Sequence, residues 1–159
     1  MLASLDGIAA RAGVGNDTLY RNFPTRDDLL SAVMAANLKN LLGTASDLLE
    51  WLDAREALKE WLFMLTWQLR IWRDLPYCVA SAKANPESSN TASAQLLTQT
   101  DKFLEKAKSS DLTMTGVTAV DFFELVTTLS WGIDRLGDDE PAARRRVTIA
   151  TAGIFHAVN

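Results

Sequence analysis

The stretch LDGIAARAGVGNDTLYRNFPTRDDLL, residues 5–30, contains three short helical patterns separated by two breaks. The first helix is predicted to end at Gly13, because glycine suits the left-handed conformation that often follows a helix. The second begins near Asn16 and ends before Pro24, since the residue before proline disfavours the helical region. For the third helix, Thr25 and Asp28 have the spacing of a capping box.

Two short helices joined by a glycine-containing turn indicate a helix-turn-helix, a motif that presents its second helix to the major groove of DNA. The spacing alone is equally that of a short helical hairpin inside a packed bundle, which is the commoner structure. The pattern therefore predicts the local fold more firmly than the function.

Apolar residues recur at helical spacing along nearly all of the remaining chain, and no strand pattern with hairpin turns is visible. The predicted fold is all-α, with an N-terminal helix-turn-helix head followed by a helical bundle. We expect a break in the third helix near Gly43, which gives a head of residues 1–43 and a bundle of residues 44–159. Further helices are predicted over residues 54–74, in a short segment after Pro76, and over residues 92–108, 117–136 and 141–158.

The composition excludes several classes of protein. One cysteine, Cys78, and one histidine, His156, provide neither an intrachain disulfide nor the usual ligand set of a zinc site. The sequence has no phosphate-binding loop and no nucleophile-and-base set, so we expect no enzyme activity, no metal and no cofactor. Without a signal-peptide pattern or an apolar run long enough to cross a bilayer, the chain is predicted to be cytoplasmic.

Specific residues of the helix-turn-helix resemble a known family. The similar positions are Ile8-Ala9, Ala12-Gly13-Val14, Thr18-Leu19-Tyr20, Phe23-Pro24, and Arg26 with Leu29-Leu30. In order and spacing they resemble the signature of the TetR/AcrR family of bacterial transcriptional regulators, closely over about residues 4–34 and loosely beyond. The resemblance implies a ligand-responsive repressor that binds a palindromic operator as a homodimer.

The resemblance also implies which side chains face DNA. They are Asn16, Asp17, Thr18, Tyr20, Arg21, Asn22 and Arg26. Thr18, Tyr20 and Arg26 would contact phosphates, which position a protein without reading sequence. For Tyr20 and Arg21 the alternative is an exposed pair with no role in binding, whereas Leu19 and Phe23 belong to a small core.

Charge and length depart from the family pattern. The formal net charge is −4, so any contact with nucleic acid must be local. The family commonly has a basic residue and a glycine where this chain has Asn16 and Asp17. Family members also place a helix, and often a basic arm, ahead of the first helix predicted here. We therefore expect the 159-residue chain to bind operator weakly or not at all, and a chain extended upstream to bind in a salt-dependent way.

The family resemblance implies a small apolar or amphipathic effector bound within the C-terminal bundle. Candidate pocket residues are Trp61, Phe63, Met64, Trp67, Gln68, Arg70, Ile71 and Trp72. Most are large and adaptable, and Gln68 and Arg70 could orient a polar group. Plain core packing is the commoner explanation for a stripe of aromatic and methionine residues at helical spacing.

The last two predicted helices carry more apolar surface than one chain easily covers. On the first of them the candidate dimer residues are Phe122, Phe123, Val126, Leu129, Trp131 and Ile133, and on the second they are Ala150, Gly153, Ile154 and Ala157. Two such helix pairs related by a two-fold axis would form a four-helix interface. In the alternative, both faces are internal core.

Two hypotheses therefore remain for the function. The first is the ligand-responsive DNA-binding regulator. The second is a dimerising ligand-binding or interaction module that has lost operator binding. The acid Asp17 on the second helix of the motif and the short N-terminus favour this hypothesis.

Overall fold

The computed structural model describes residues 4–70, 92–112 and 116–155. These residues form seven α-helices and no β-strand, so the prediction of an all-α fold is confirmed. The helices are α1 (Leu5–Ala12), α2 (Asn16–Asn22), α3 (Arg26–Trp51), α4 (Ala54–Leu69), α5 (Ala92–Ser109), α6 (Ala119–Leu136) and α7 (Glu140–Thr151), and a 3-10 turn (Ala152–Ile154) follows α7. None of these helices is both long and apolar enough to span a membrane. The helix expected after Pro76 lies outside the described residues.

Helices α1 and α2 begin and end where the sequence predicts, and α3 begins at the predicted residue. Gly13 has a φ of +67°, in the left-handed region, and the next N–H, of Val14, donates to the Ala9 carbonyl at 3.0 Å. At the start of α3 the Asp28 N–H donates to the Thr25 hydroxyl at 3.2 Å, and the Thr25 N–H donates to the Asp28 carboxylate at 2.9 Å. Hydrogen bonds from the Thr25 hydroxyl and N–H lower the pKa of Asp28. The predicted capping box is thus confirmed.

Helix α3 runs without interruption through Gly43, so the predicted break at this position is wrong. A glycine in a helix interior costs only about 0.5–1 kcal/mol relative to alanine. Its neighbours Leu41 and Ala45 are buried, at 6% and 0% exposure. Their burial outweighs the weak helix propensity of one glycine, because packing of an apolar face supplies most helical stability in proteins.

The chain divides into two compact units, Met1–Lys39 and Asn40–Asn159. In the first unit, α1 and α2 pack around a small core of Leu5, Ala9 and Leu19. Phe23 and Leu29 are partly buried against this core. The three patterns of the opening stretch therefore meet in one cluster.

In the second unit α4 is central and contacts α5, α6 and α7. Leu58, Trp61 and Leu62 are completely buried along it. The Trp61 ring stacks on Phe103 of α5 with a centroid distance of 5.0 Å, and its N–H donates to the Thr100 hydroxyl at 3.0 Å. Helix α4 is thus buried on more than one side, as its apolar residues on two faces require.

Helix α7 ends at Thr151, short of the predicted end at residue 158, and continues as the 3-10 turn. Gly153 lies in that turn, where its low helix propensity favours a stop. Near its start α7 is fastened to α4 by Arg144, whose guanidinium donates to both carboxylate oxygens of Glu60 at 2.5 and 2.8 Å. The same guanidinium lies 3.8 Å from the centroid of the Phe63 ring.

Gly13 and Gly43 form a matched pair for testing these backbone assignments, because a Cβ at either position would meet nothing within 4 Å. Gly13→Ala should destabilise the first unit by about 1–2 kcal/mol, because Gly13, unlike Gly43, has a positive φ. Gly43→Ala should stabilise α3 by about 0.5–1 kcal/mol. Amide hydrogen exchange in α1 and α3 measures both effects locally, and equal effects of the two substitutions would contradict the assignment.

Candidate functional site

Helix α2 is anchored by one side chain and exposes the rest. Leu19 is its only buried residue, at 9% exposure. The six sequence-predicted DNA-binding residues of this helix are all exposed: Asn16, Asp17, Thr18, Tyr20, Arg21 and Asn22. Arg26 is the first residue of α3, and its side chain lies outside the described part of the structure. One short helix therefore presents six of the seven candidates to solvent.

Tyr20 has a partner that the sequence pattern did not indicate. Partial burial raises the pKa of its phenol, and Asp6 of α1 raises it further through its charge and a hydrogen bond. Tyr20 remains 42% exposed. Asp6 is recognisable in the sequence only as an acid in the first turn of a helix, so this contact between α1 and α2 appears only in three dimensions.

The polar side chains of α2 differ in how far they are already engaged. The Asn22 side-chain amide donates to the Thr18 carbonyl at 2.8 Å, within the helix itself. Asp17 and Arg21 are four residues apart, the spacing at which side chains of opposite charge are neighbours on a helix surface. The surface of α2 is therefore polar and mixed in charge rather than basic.

The structure disperses the candidate pocket residues of α4. Trp61 is enclosed by core neighbours, and Phe63, at 5% exposure, is covered by the Arg144 guanidinium. Trp67 is half-buried beneath the Arg70 guanidinium, whose carbon lies 3.3 Å from the Trp67 ring centroid. Met64 and Gln68 are also half-buried. Ile71 and Trp72 lie outside the described residues.

The candidate dimer residues separate into two groups. Phe122, Phe123, Val126 and Ile133 are between 0% and 2% exposed within a single chain, so they belong to the core of one chain rather than to an interface. Trp131 is 58% exposed. Leu129, Ala150 and Ile154 are half-buried and Gly153 is exposed, whereas Ala157 lies outside the described residues.

A cavity of about 420 Å³ lies between α4 and α7. Of the candidate pocket residues that the structure describes, Phe63 alone lines it; the other described residues on its wall are Arg55, Glu56, Lys59, Glu60, Arg144, Val147, Thr148, Thr151, Ala152 and Phe155. Its basic side chains already have partners: Lys59 pairs with Glu56 at 2.7 Å, and Arg144 pairs with Glu60. Arg55 and Lys59 also lie over the Phe155 ring. The charged side chains of this wall therefore pair with one another and with the Phe155 ring, which is the arrangement of a structural ion-pair network.

Comparison with known proteins supports the resemblance of the N-terminal unit to the TetR/AcrR family. Residues 2–33 match the sequence model of a family described as "Bacterial regulatory proteins, tetR family". No curated protein matches the sequence. Among solved structures, the chain is similar to the crystal structure of a TetR transcriptional regulator from Streptomyces coelicolor, with 25% identity and a TM-score of 0.71. That alignment covers 98% of this chain and 89% of the other.

The contact between Tyr20 and Asp6 predicts a specific titration. In a Tyr77→Phe background Tyr20 is the only tyrosine, so phenolate absorbance reports it alone. Asp6→Asn should lower the pKa of Tyr20, because it removes a negative charge that disfavours the phenolate. The raised pKa means that the stabilising contact persists at neutral pH and is lost only as the pH rises through that pKa.

Asp17→Asn is the matched control for this titration, since it removes one negative charge from α2 itself. It should leave the pKa of Tyr20 nearly unchanged. An equal decrease in both variants would show that the general charge of the head, and not Asp6, determines the pKa of Tyr20.

Proposed function

We propose that the chain, whose N-terminal residues match the TetR family model and whose fold resembles that of a TetR regulator, is a ligand-responsive repressor that binds a palindromic operator as a homodimer. The observation that carries this proposal is the geometry of α2. A helix fixed by Leu19 and exposed along its remaining surface can enter the major groove without unfolding its own core.

The proposed contacts follow from the types of side chain that α2 exposes. Arg21, Thr18 and Tyr20 can donate to phosphate oxygens, which fixes the position and register of the helix on DNA. Asn16 can bond an adenine edge and Asp17 can accept from cytosine, so both contribute to sequence preference. Arg26, the first residue of α3 and four residues beyond the end of α2, completes the proposed phosphate set.

An alternative function, a dimerising module without operator binding, is favoured by the acids of the head. Asp6 already accepts a hydrogen bond from Tyr20, and Asp17 lies exposed on α2. An acid close to a phosphate costs binding free energy unless a base donates to it. The two functions therefore differ in one measurable property, the affinity for DNA.

The proposed dimer rests on apolar surface that remains exposed on the last two helices. Trp131 and Leu136 of α6 are 58% and 62% exposed, and Ile149 of α7 is 76% exposed. On α6, Leu125, Leu129 and Leu136 follow helical spacing and are half-buried or exposed. Helices α6 and α7 contact each other, so these side chains belong to one packed pair. At 100° per residue, Trp131 lies on a different side of α6 from Leu125, Leu129 and Leu136. The proposed interface is the side that carries Trp131, which a second copy related by a two-fold axis would cover in a four-helix interface.

The effector is proposed to bind in the second unit. The dispersed positions of Trp61, Phe63 and Trp67 support no single apolar pocket among the described part of α4, and Trp61 and Phe63 have core roles there. Met64 and Gln68, which are half-buried, remain candidates near the end of that helix.

A mobility-shift titration against the DNA that flanks its own gene tests operator binding. Arg21→Met should weaken binding to all sequences alike and reduce the slope of log affinity against log salt by about 1, as expected for loss of one phosphate contact. Lys108→Met is the control, because it removes the same charge from α5. Asn16→Ala should change which sequence is preferred. An absence of specific binding at low salt, both by this chain and by a form extended upstream, would support the module without operator binding.

Light scattering tests the dimer. We expect a homodimer at micromolar concentration, and Trp131→Glu should weaken it by at least tenfold without unfolding the chain, because Trp131 is exposed. Trp51→Glu is a matched control: Trp51 is 77% exposed at the end of α3, and its substitution should leave the dimer intact. Phe123→Glu should instead unfold the second unit. A monomeric wild-type protein would contradict the proposed interface.

A further inference from the structure

A second cavity, of about 380 Å³, lies between the C-terminal half of α3 and α5. Its lining residues are Leu42 and Ser46 of α3 and Gln95, Thr98, Gln99 and Lys102 of α5. This volume is near the lower end of the roughly 300–1,000 Å³ typical of small-molecule sites. Its described lining residues all belong to the second unit, and none of them is one of the aromatic residues considered above.

The wall of this cavity is rich in hydrogen-bond donors. The Lys102 ammonium donates to the Gln99 carbonyl oxygen at 3.2 Å, which uses one of its three donors. The amide nitrogen of Gln99 is buried and has no hydrogen-bond partner among the described residues. A buried donor without an acceptor costs free energy that a ligand bearing an acceptor can recover. Among the described residues, no acidic side chain lines the cavity, in contrast to the cavity between α4 and α7.

We infer that this cavity binds the carboxylate of a small organic acid, with Lys102 and Gln99 as its donors. A carboxylate has two oxygens that accept hydrogen bonds, so it can satisfy an ammonium and an amide N–H together. Hydrogen bonds to a charged acceptor are also stronger than those to a neutral one. Leu42 provides an apolar surface for the remainder of a small molecule.

The position of the cavity suggests how the ligand acts, and this step rests on the proposed function. Leu42 and Ser46 belong to α3, the continuous helix that begins at Arg26, shortly after α2 in the chain. A ligand that binds differently to two arrangements of α3 shifts their populations and thereby the affinity of the head for DNA. The regulatory ligand would then be polar and anionic rather than mainly apolar.

Nuclear magnetic resonance tests the site directly. The probes are benzoate and hexanoate, each compared with its neutral amide, and the readout is the side-chain amide signal of Gln99, identified by its absence in Gln99→Leu. At least one of the two acids should shift this signal in a saturable way and bind at least tenfold more tightly than its amide. Lys102→Met should weaken that binding by about tenfold or more, as expected for loss of a charge-assisted hydrogen bond.

Lys108→Met is the matched control, since Lys108 is on the same helix but pairs with Glu105 at 3.0 Å and does not line the cavity. Its affinity for the acid should equal that of the wild type. The inference is overturned if neither acid binds, if the amides bind equally well, or if Lys102→Met and Lys108→Met have the same effect. Displacement of the acid by an equal concentration of inorganic phosphate would also overturn it, because it would indicate attraction by charge alone.

A mobility-shift titration with and without the bound acid separates this inference from the proposed function. Lys102-dependent binding of the acid by a protein that does not bind DNA would retain the cavity assignment and overturn the proposed regulator. DNA binding by a protein that binds neither acid would support the proposed regulator and overturn the cavity assignment. Where both occur, the acid should change the affinity for DNA in the wild type and in Lys108→Met, but not in Lys102→Met.

Discussion

The burial of Leu19 is the contact on which the N-terminal unit depends. Helix α2 has only seven residues, too few to be stable alone in water, and Leu19 is the one side chain that it buries. Its packing against Leu5 and Ala9 both forms the helix and determines which side faces outward. Six of the seven candidate contacts to DNA lie on α2, so the position of most of the proposed DNA-binding surface follows from one apolar side chain.

A comparable role in the second unit belongs to Trp61. Its ring stacks on Phe103, and its N–H donates to Thr100, whose hydroxyl donates in turn to the Leu96 carbonyl at 2.8 Å. The indole N–H must have a partner when it is buried, so this chain of hydrogen bonds fixes α4 against α5 in one register. Lys106 adds a second link, since its ammonium donates to the carbonyls of Leu49 and Leu52 at 2.7 Å each. Helix α5 is thus tied both to α4 and to the end of α3, and the donor-lined cavity lies beside these fixed elements.

The features that the sequence predicts well are those that depend on neighbouring residues. Gly13, Pro24 and the pair of Thr25 and Asp28 end or begin helices through contacts within about one turn, so their consequences can be derived without knowing the fold. The predicted break at Gly43 is wrong because the local cost of a glycine is outweighed by burial of Leu41 and Ala45, and burial depends on distant parts of the chain.

Candidate site residues were predictable to a more limited degree. The exposure of α2 follows from its helical period once Leu19 is assigned to the core. The contact of Asp6 with Tyr20, and the meeting of Gln99 with Leu42, join residues from separate helices, and nothing in the spacing indicates them. For α6 the sequence shows an apolar helix but not which side is covered, so Phe122 and Trp131 looked alike until the packing separated a core residue from an exposed one.

The charge of the chain constrains how such a protein can select an operator. With a net charge of −4 and an exposed surface on α2 that mixes Asp17 with Arg21, general attraction to DNA is weak. Phosphate contacts supply nearly all non-specific affinity, so few of them means little binding to random sequence. Base contacts must then contribute a larger share of specific affinity, and an aspartate that is unfavourable near phosphate becomes favourable where a cytosine donates to it. Under the proposed contacts, Asp17 of α2 would therefore oppose binding to most DNA while permitting one sequence, which would increase discrimination at the expense of affinity.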